Sequence, residues 1–155
     1  MLAEASRHVS SISQSVTLAA RNPEKLAREI QAKPLVMDWS RQDETLAALS
    51  DINTVGLVLS WLHNDGLWLV EHLESKIIAG GRSILVHGSA ARDPAILAKQ
   101  APPLRPDIQR QDVILGWVNL PNGRRWLSNE EISNAVIEAV DMPAQKVFIA
   151  GTVDA

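Results

Sequence analysis

The sequence predicts an α/β fold with a doubly wound, mostly parallel sheet. Apolar runs and helical segments alternate four times before residue 90, as in β-α-β units joined by right-handed crossovers. The run Thr54–Leu62 is apolar almost throughout, which is typical of a strand buried on both faces of a parallel sheet. The 155 residues are enough for one domain, 1–155, with a buried core.

Six apolar runs rich in Val, Ile and Leu are predicted to be strands. In chain order they are Ser15–Arg21, Lys33–Asp38, Thr54–Leu62, Arg82–Ser89, Val113–Leu120 and Lys146–Val153. Between the fourth and fifth runs, the segment Ala90–Asp107 contains four prolines, and we expect a loop there with a helical turn near Ile96–Lys99. Pro121-Asn122-Gly123 predicts a turn.

Five segments with apolar residues at helical spacing are predicted to be helices. They are Leu2–Ser13, Pro23–Gln31, Arg41–Ser50, Leu67–Ile78 and Glu130–Val140. The first has its stripe at Leu2, Ala5, Val9 and Ile12, and the last at Ile132, Val136 and Val140. End signals are the N-cap Asn22, the capping boxes Ser40 with Asp43 and Ser128 with Glu131, and the helix-ending glycines Gly80-Gly81.

Composition excludes several classes of protein. A net charge of −3 gives no basic surface for nucleic acid. The absence of cysteine excludes disulfides and thiolate chemistry and suits a cytoplasmic location. No apolar run reaches the length of a membrane span, and no signal peptide is visible. No spacing of histidines and carboxylates predicts a metal site.

Four blocks of the sequence resemble a known family. SVTLAARNPEKL, KPLVMDWS, TVGLVLSWLHNDG and GGRSILVHGSAA are similar, in that order, to the second to fifth strands of short-chain dehydrogenase/reductase-like proteins. The later tract VILGWVNLPNGRRWLSNEEISNAVIEAV resembles small bacterial members of that superfamily. The resemblance covers nearly the whole chain. It implies a Rossmann-like NAD(P)-binding domain and an oxidoreductase activity.

The family's first strand and glycine-rich turn have no counterpart here. None of the eight glycines precedes the first helix, and there is no G-x-G-x-x-G and no Walker A loop. Met1-Leu2 resembles the point where that turn enters its helix. We therefore expect the central strand, between Ser15–Arg21 and Thr54–Leu62, to be missing from this chain.

Three causes would account for a start about ten residues late, one short strand plus its turn. They are a start codon assigned too far downstream, a shortened expressed form, and a natural loss of the strand. Without the strand, two edges would expose unpaired amides and carbonyls. Those edges would close on each other, be filled by another chain, or leave the fold fragile, and phosphate binding would weaken.

Arg21 is the first candidate for a cofactor contact. Ligands of open α/β sheets bind outside the carboxyl ends of the strands, where Arg21 and Asn22 lie. By the resemblance, an Arg here pairs with the 2′-phosphate of NADP, whereas an acidic residue would select NAD. Asp38, followed by Trp39, corresponds to a residue that contacts the adenine. The alternatives are that Arg21 is a surface arginine at a strand end and that Asp38 is an acidic residue near the start of a helix.

Further candidates follow the third and fourth strands. Ser60-Trp61 stands where the family has a small-residue motif, and Trp61 would either stack on a cofactor ring or pack in the core. Ser89 corresponds to the family's catalytic serine and is also a candidate cofactor contact. His87 shares its face of the strand, near His63, and would be a general acid or a structurally hydrogen-bonded histidine.

The family's catalytic Tyr-Lys pair is absent. Ala101–Pro106 occupies its place, and the chain contains no tyrosine at all. Carbonyl reduction by that machinery is therefore excluded, because the Tyr is its proton donor. Arg124 and Arg125 would meet an anion or form a solvated turn, while Trp117 and Trp126 suggest an interface.

Two functions remain open, with a weaker third. The first is a short-chain dehydrogenase-like protein that binds NADP(H), an oxidoreductase without the Tyr-Lys pair acting on an unidentified small molecule. The second is a non-catalytic nucleotide sensor or a subunit of a homo-oligomer. A methyltransferase-like domain is disfavoured because Arg21 replaces the acidic residue that would hold a ribose.

Overall fold

The computed structural model describes residues 1–88 and 105–153. Within these residues the helices are α1 (Ala3–Ile12), α2 (Glu24–Glu29), α3 (Gln42–Ser50), α4 (Leu69–Ser75) and α5 (Asn129–Asp141). The strands are β1 (Thr17–Ala20), β2 (Lys33–Val36), β3 (Val55–Trp61), β4 (Ile77–His87), β5 (Gln109–Leu115), β6 (Trp117–Leu120), β7 (Gly123–Trp126) and β8 (Val147–Ala150). None of the helices in this part of the chain is long and apolar enough to cross a membrane.

The strands form three groups. β3, β4, β5 and β8 make a four-stranded parallel sheet in that order, and β1 and β2 make a separate parallel pair. β6 and β7 form an antiparallel hairpin. Helices flank the parallel strands, so the predicted Rossmann-like α/β class is confirmed.

The parallel strands are interrupted between β1 and β3, which we call the sheet break. In the described residues β1 is hydrogen-bonded only to β2, and β3 only to β4. The segments that follow β2 and β3 nevertheless meet, because the ring centroids of Trp39 and His63 are 6.1 Å apart. The interruption falls where the sequence predicts a missing strand.

The main hydrophobic core lies between the four-stranded sheet and the helices α1 and α5. Its buried members include Ile84, Val113 and Leu115 from the strands and Ala5 from α1. The predicted stripe of α5 is confirmed, since Ile132, Val136 and Val140 are all buried there. The predicted capping box of α5 is also confirmed. Ile12 departs from the predicted stripe of α1, being 60% exposed at the helix end.

A second, smaller cluster joins the end of β2 to α3 and α4. Met37, Leu49 and Leu69 are its buried members, and Trp39 and Leu62 pack against them. This cluster holds the β1–β2 pair against the end of β3, although no backbone hydrogen bond of a sheet joins them.

The fourth predicted helix ends earlier than its apolar pattern suggests. α4 stops at Ser75, and Ile77 already pairs with Val55 of β3. Gly80 and Gly81 therefore lie inside β4 rather than ending a helix. Gly80 has a φ of +78° and donates its N–H to the Asp107 carbonyl, so strand pairing overrides the local helical pattern.

The predicted strand Val113–Leu120 is two strands. β5 begins at Gln109, and the chain turns at Gly116 before β6. A Cβ at Gly116 would collide with the backbone of Thr152, so only glycine permits this crossing. The predicted turn at Pro121-Asn122-Gly123 joins β6 to β7, which the sequence pattern did not predict as a strand.

Two predicted helix caps are wrong. Pro23, rather than Asn22, precedes the first residue of α2, and α3 begins after Arg41. Neither helix has a side-chain cap hydrogen bond. Ser40 instead donates its hydroxyl and its backbone N–H to the Asp38 carboxylate, because a short polar side chain readily bonds the backbone two residues away.

Candidate functional site

A cleft of about 260 Å³ lies at the carboxyl ends of β1 and β2. It brings together Arg21, which follows β1, and Asp38, which follows β2. Arg41, just before α3, lines it as well. The remaining lining residues are Val36, Met37, Glu44 and Thr45. Two of the sequence-predicted cofactor residues therefore meet in one cleft.

Strand register and one buried hydroxyl set this geometry. Ala20 pairs with Val36 in the parallel ladder, so the residues that follow the two strands emerge at the same edge. Thr45 of α3 is 1% exposed and donates its hydroxyl to the Asp38 backbone carbonyl at 2.7 Å. This bond fixes the segment between β2 and α3, and Arg41 with it.

Asp38 is held in its charged form. Its carboxylate accepts the Ser40 hydroxyl at 2.8 Å and the Ser40 N–H at 3.0 Å. These hydrogen bonds, with smaller contributions from the nearby charges of Arg21 and Arg41, keep the pKa of Asp38 below its usual value. The cleft therefore presents a fixed carboxylate flanked by two guanidinium groups.

Arg21 retains its hydrogen-bond donors. Throughout residues 1–88 and 105–153 it has neither a hydrogen bond nor an ion pair, and its charge acts on Asp38 only through space. Arg41 makes one exposed contact, 3.2 Å from the Glu44 carboxylate. Such surface pairs contribute little stability, so both side chains can turn toward an anion.

Asn22 and Trp39 do not line the cleft. Trp39 packs in the second cluster, where a Cβ on Gly66 would lie 3.2 Å from its ring. Its neighbour His63 stacks obliquely against it. The ring of Trp39 thus serves packing in this structure.

Ser60 and Trp61 lie on β3, apart from the cleft lining. Ser60 is 8% exposed, and its hydroxyl has no hydrogen-bond partner. Trp61 packs against the main core, and its buried indole N–H also lacks a partner. The core position of Trp61 agrees with the packing alternative, but the orphaned N–H is unusual for a buried tryptophan.

His87 forms a close pair with Asp112 of β5. The Nε2 atom lies 2.7 Å from an Asp112 oxygen, with the two side chains 15% and 26% exposed. This contact agrees with the interpretation of His87 as a structurally hydrogen-bonded histidine. The Asp112 carboxylate also fixes the orientation of the imidazole ring, which a general acid or base requires. Ser89, its predicted neighbour on the same face, lies outside the described residues.

The arginine-rich turn is already occupied by protein contacts. Arg125 donates to both carboxylate oxygens of Glu131 and to the Trp126 carbonyl. The Arg125 and Ser128 hydrogen bonds lower the pKa of Glu131 to about 2. Trp117 and Trp126 meet edge to face across the hairpin, with ring centroids 5.2 Å apart. These contacts favour the alternative of a solvated turn; an interface at the two tryptophans stays a prediction.

A larger open depression of about 850 Å³ lies on the surface where α1 packs against α5, lined by residues of both helices. No sequence-predicted site residue lines it.

Sequence reasoning missed Arg41 of the smaller cleft. Its signal is the spacing Asp38-x-x-Arg41 at the end of a predicted strand, where the Asp38 side chain turns the backbone toward the next helix.

Comparison with known proteins places the fold and no more. No family model matches the chain, and no curated protein matches it. The chain is similar to the solved structure of BdcA (YjgI) from E. coli, with a TM-score of 0.58 at 12% identity. The match covers 97% of this chain and 89% of that one. At this identity the structural likeness shows a common fold and carries no statement about function.

Proposed function

We propose that this chain is a short-chain dehydrogenase-like protein that binds NADP(H) at the cleft after β1 and β2. The observation that supports the proposal is the meeting of Arg21, Arg41 and Asp38 at the carboxyl ends of parallel strands. In this proposal the two guanidinium groups hold the 2′-phosphate of the adenosine half. Asp38 faces the adenine.

The chemistry of the cleft suits a phosphate monoester. A guanidinium offers a planar fork of donors that matches phosphate oxygens, and Arg21 has its donors available. The volume of about 260 Å³ is somewhat smaller than the roughly 300–1,000 Å³ of typical small-molecule pockets. It therefore accommodates one end of a dinucleotide, with the remainder lying across the carboxyl ends of the strands.

A reaction catalysed by this protein must use a proton donor other than the tyrosine of the short-chain dehydrogenase Tyr-Lys pair. The chain has no tyrosine, which favours our second candidate function, a non-catalytic nucleotide sensor. The His87–Asp112 pair is the observation that favours an oxidoreductase instead, because it is an oriented, partly exposed acid or base at the end of β4.

Binding of 2′,5′-ADP and 5′-AMP, measured by calorimetry, tests the proposal. We expect 2′,5′-ADP to bind about 10-fold or more tightly, since the phosphate contributes charge-assisted bonds of about 1.4 kcal/mol or more. Arg21→Gln should remove this difference. Arg28→Gln, an exposed arginine of α2 outside the cleft, should keep it. Equal affinity for the two ligands, or binding to neither, would refute the proposal.

A further inference from the structure

The tip of the β6–β7 hairpin carries an Asn-Gly step. Leu120 pairs with Gly123 across the two strands, so Pro121 and Asn122 form a two-residue loop. Among the asparagines of the sequence, only Asn122 is followed by glycine. Residues 119–125 are all exposed. The step is therefore open to water at the end of a short hairpin.

An asparagine side chain is open to attack by the backbone nitrogen of the next residue. Here the Gly123 nitrogen would bond to Cγ of Asn122, closing a five-membered succinimide ring. The side-chain nitrogen leaves as ammonia, carrying the proton that the Gly123 nitrogen gives up. Water then opens the ring at the side-chain carbonyl, giving aspartate, or at the main-chain carbonyl, giving isoaspartate. The balance is one water consumed and one ammonia released, without oxidant or cofactor.

The turn both requires glycine after Asn122 and leaves that glycine accessible. Gly123 has a φ of +138°, a region that residues with a side chain rarely adopt. A Cβ added to Gly123 would meet no atom within 4 Å, so no neighbouring group hinders its approach to Asn122. The geometry that selects glycine thus supplies the least hindered nitrogen that an asparagine can have as its neighbour.

A comparable step elsewhere, Asp65-Gly66, is enclosed. Gly66 is buried, and its N–H donates to the His63 carbonyl at 2.8 Å. A Cβ on Gly66 would lie 3.2 Å from the Trp39 ring. The Gly66 nitrogen is therefore engaged in a hydrogen bond inside a packed segment, whereas the hairpin tip is open.

We propose that Asn122 is a modification site, at which the folded protein deamidates spontaneously to aspartate and isoaspartate. Either product adds one negative charge to the net −3 of the chain, next to Arg124 and Arg125 in the sequence. Isoaspartate also adds one carbon to the main chain of a two-residue loop, which weakens the pairing of Leu120 with Gly123. The inference does not depend on the proposed nucleotide site.

Incubation at mildly alkaline pH tests the inference. Hydroxylamine cleaves a chain at a succinimide, and labelled methyl transfer by an isoaspartate methyltransferase counts isoaspartate. We expect cleavage between Asn122 and Gly123, and label in the peptide that contains residue 122. The reaction should be at least about 10-fold faster there than at any other asparagine, because its barrier is the lowest. Asn122→Gln should abolish both signals, since glutamine would have to close a larger ring.

Asp65→Asn separates the effect of the fold from that of the local sequence, because it creates a second Asn-Gly step at the enclosed Gly66. In the folded variant we expect position 122 to react and position 65 to stay intact. In concentrated urea the two positions should react at similar rates. Ala135→Gly, which creates an Asn-Gly step at Asn134 inside α5, replaces Asp65→Asn if the latter fails to fold.

Three outcomes would count against the inference. An intact Asn122 in the folded protein, with both signals present in urea, would mean that the hairpin holds the Gly123 nitrogen away from the side chain. Equal rates at positions 65 and 122 in the folded Asp65→Asn variant would mean that the fold does not select the site. Unchanged amide exchange of the hairpin in the isoaspartate form would contradict the expected loss of pairing.

Discussion

The two halves of this molecule use similar apolar sequences with different results. In the half built from β4, β5 and β8, the central strand β5 has a neighbour on each side, and Val113, Ile114 and Leu115 are 0–1% exposed. In the half built from β1, β2 and β3, no residue of β1 or β2 is buried. β5, with a hydrogen-bonded strand on each side, is therefore buried along its apolar run, whereas the two-stranded pair leaves its apolar residues partly exposed.

Charged residues show the same contrast. Arg110 of β5 is held by Glu74 of α4, with both side chains less than a tenth exposed. Arg21, just after β1, has no such partner in the described chain. The half built from β4, β5 and β8, which we call the closed half, uses Arg110 for structure. The half built from β1, β2 and β3, which we call the open half, leaves Arg21 available to a ligand.

The largest expected effect concerns the buried pair of the closed half. Glu74→Gln removes the Glu74 carboxylate from its buried ion pair with Arg110, and breaking such a pair costs about 3–5 kcal/mol. Arg41→Gln, which breaks an exposed pair in the open half, should cost less than about 1 kcal/mol. Urea unfolding monitored by circular dichroism measures both. Similar losses in the two variants would contradict the contrast.

Alanine substitutions of Leu59 and Ile84 compare side-chain packing on β3 and β4, because the two residues are direct partners in the sheet. Ile84 is 0% exposed, so Ile84→Ala should cost about 2–5 kcal/mol. Leu59 is only half-buried, and Leu59→Ala should cost about half as much. The same urea experiment compares them. A larger loss for Leu59→Ala would mean that β3 is as well covered as β4.

Ser128→Ala should have a smaller effect, confined to the closed half. The Ser128 hydroxyl accepts the N–H of Glu131 at 3.1 Å and so completes the capping box of α5. Loss of such a cap costs about 1 kcal/mol. Ser40→Ala is the control, because Ser40 caps no helix in this structure. Equal losses of unfolding free energy would show that the Ser40–Asp38 turn is as important as the cap.

The smallest effect is the response of stability to acid. The Arg125 and Ser128 hydrogen bonds hold the pKa of Glu131 at about 2 instead of 4.5. A depressed pKa stabilises the folded state above pH 4.5, and that contribution is lost as the pH falls from 4.5 toward 2. Glu131→Gln should make unfolding less sensitive to pH in this window, and Glu130→Gln should not. Parallel curves for parent and Glu131→Gln would contradict the assignment.

Sequence reasoning succeeded where local pattern and tertiary structure agree. The strand-helix alternation predicts the fold class, and Ser128 with Glu131 predicts the cap of α5. The position of the sheet break also followed from the sequence, through the resemblance and the absence of glycines before the first helix. The cause of the interruption stays a prediction.

Sequence reasoning failed where a distant contact decides the local structure. The Gly116 crossing depends on Thr152, and the early start of β4 depends on pairing with Val55. Neither contact has a signal within the segment itself. In the candidate site, Arg21 and Asp38 were predicted from strand ends, but Arg41 joins them only through the turn that Asp38 and Thr45 fix.

The most direct test of the sheet break is amide exchange along β1 in the protein without any ligand. Leu18 and Ala20 bond β2, and Thr17 and Ala19 face the break, so exchange should alternate along the strand. We predict that Thr17 and Ala19 exchange at least about 10-fold faster than Leu18 and Ala20, while Val113–Leu115 of β5 are uniformly protected. Equal protection of all four β1 amides would show that the sheet is continuous there, and would contradict the account.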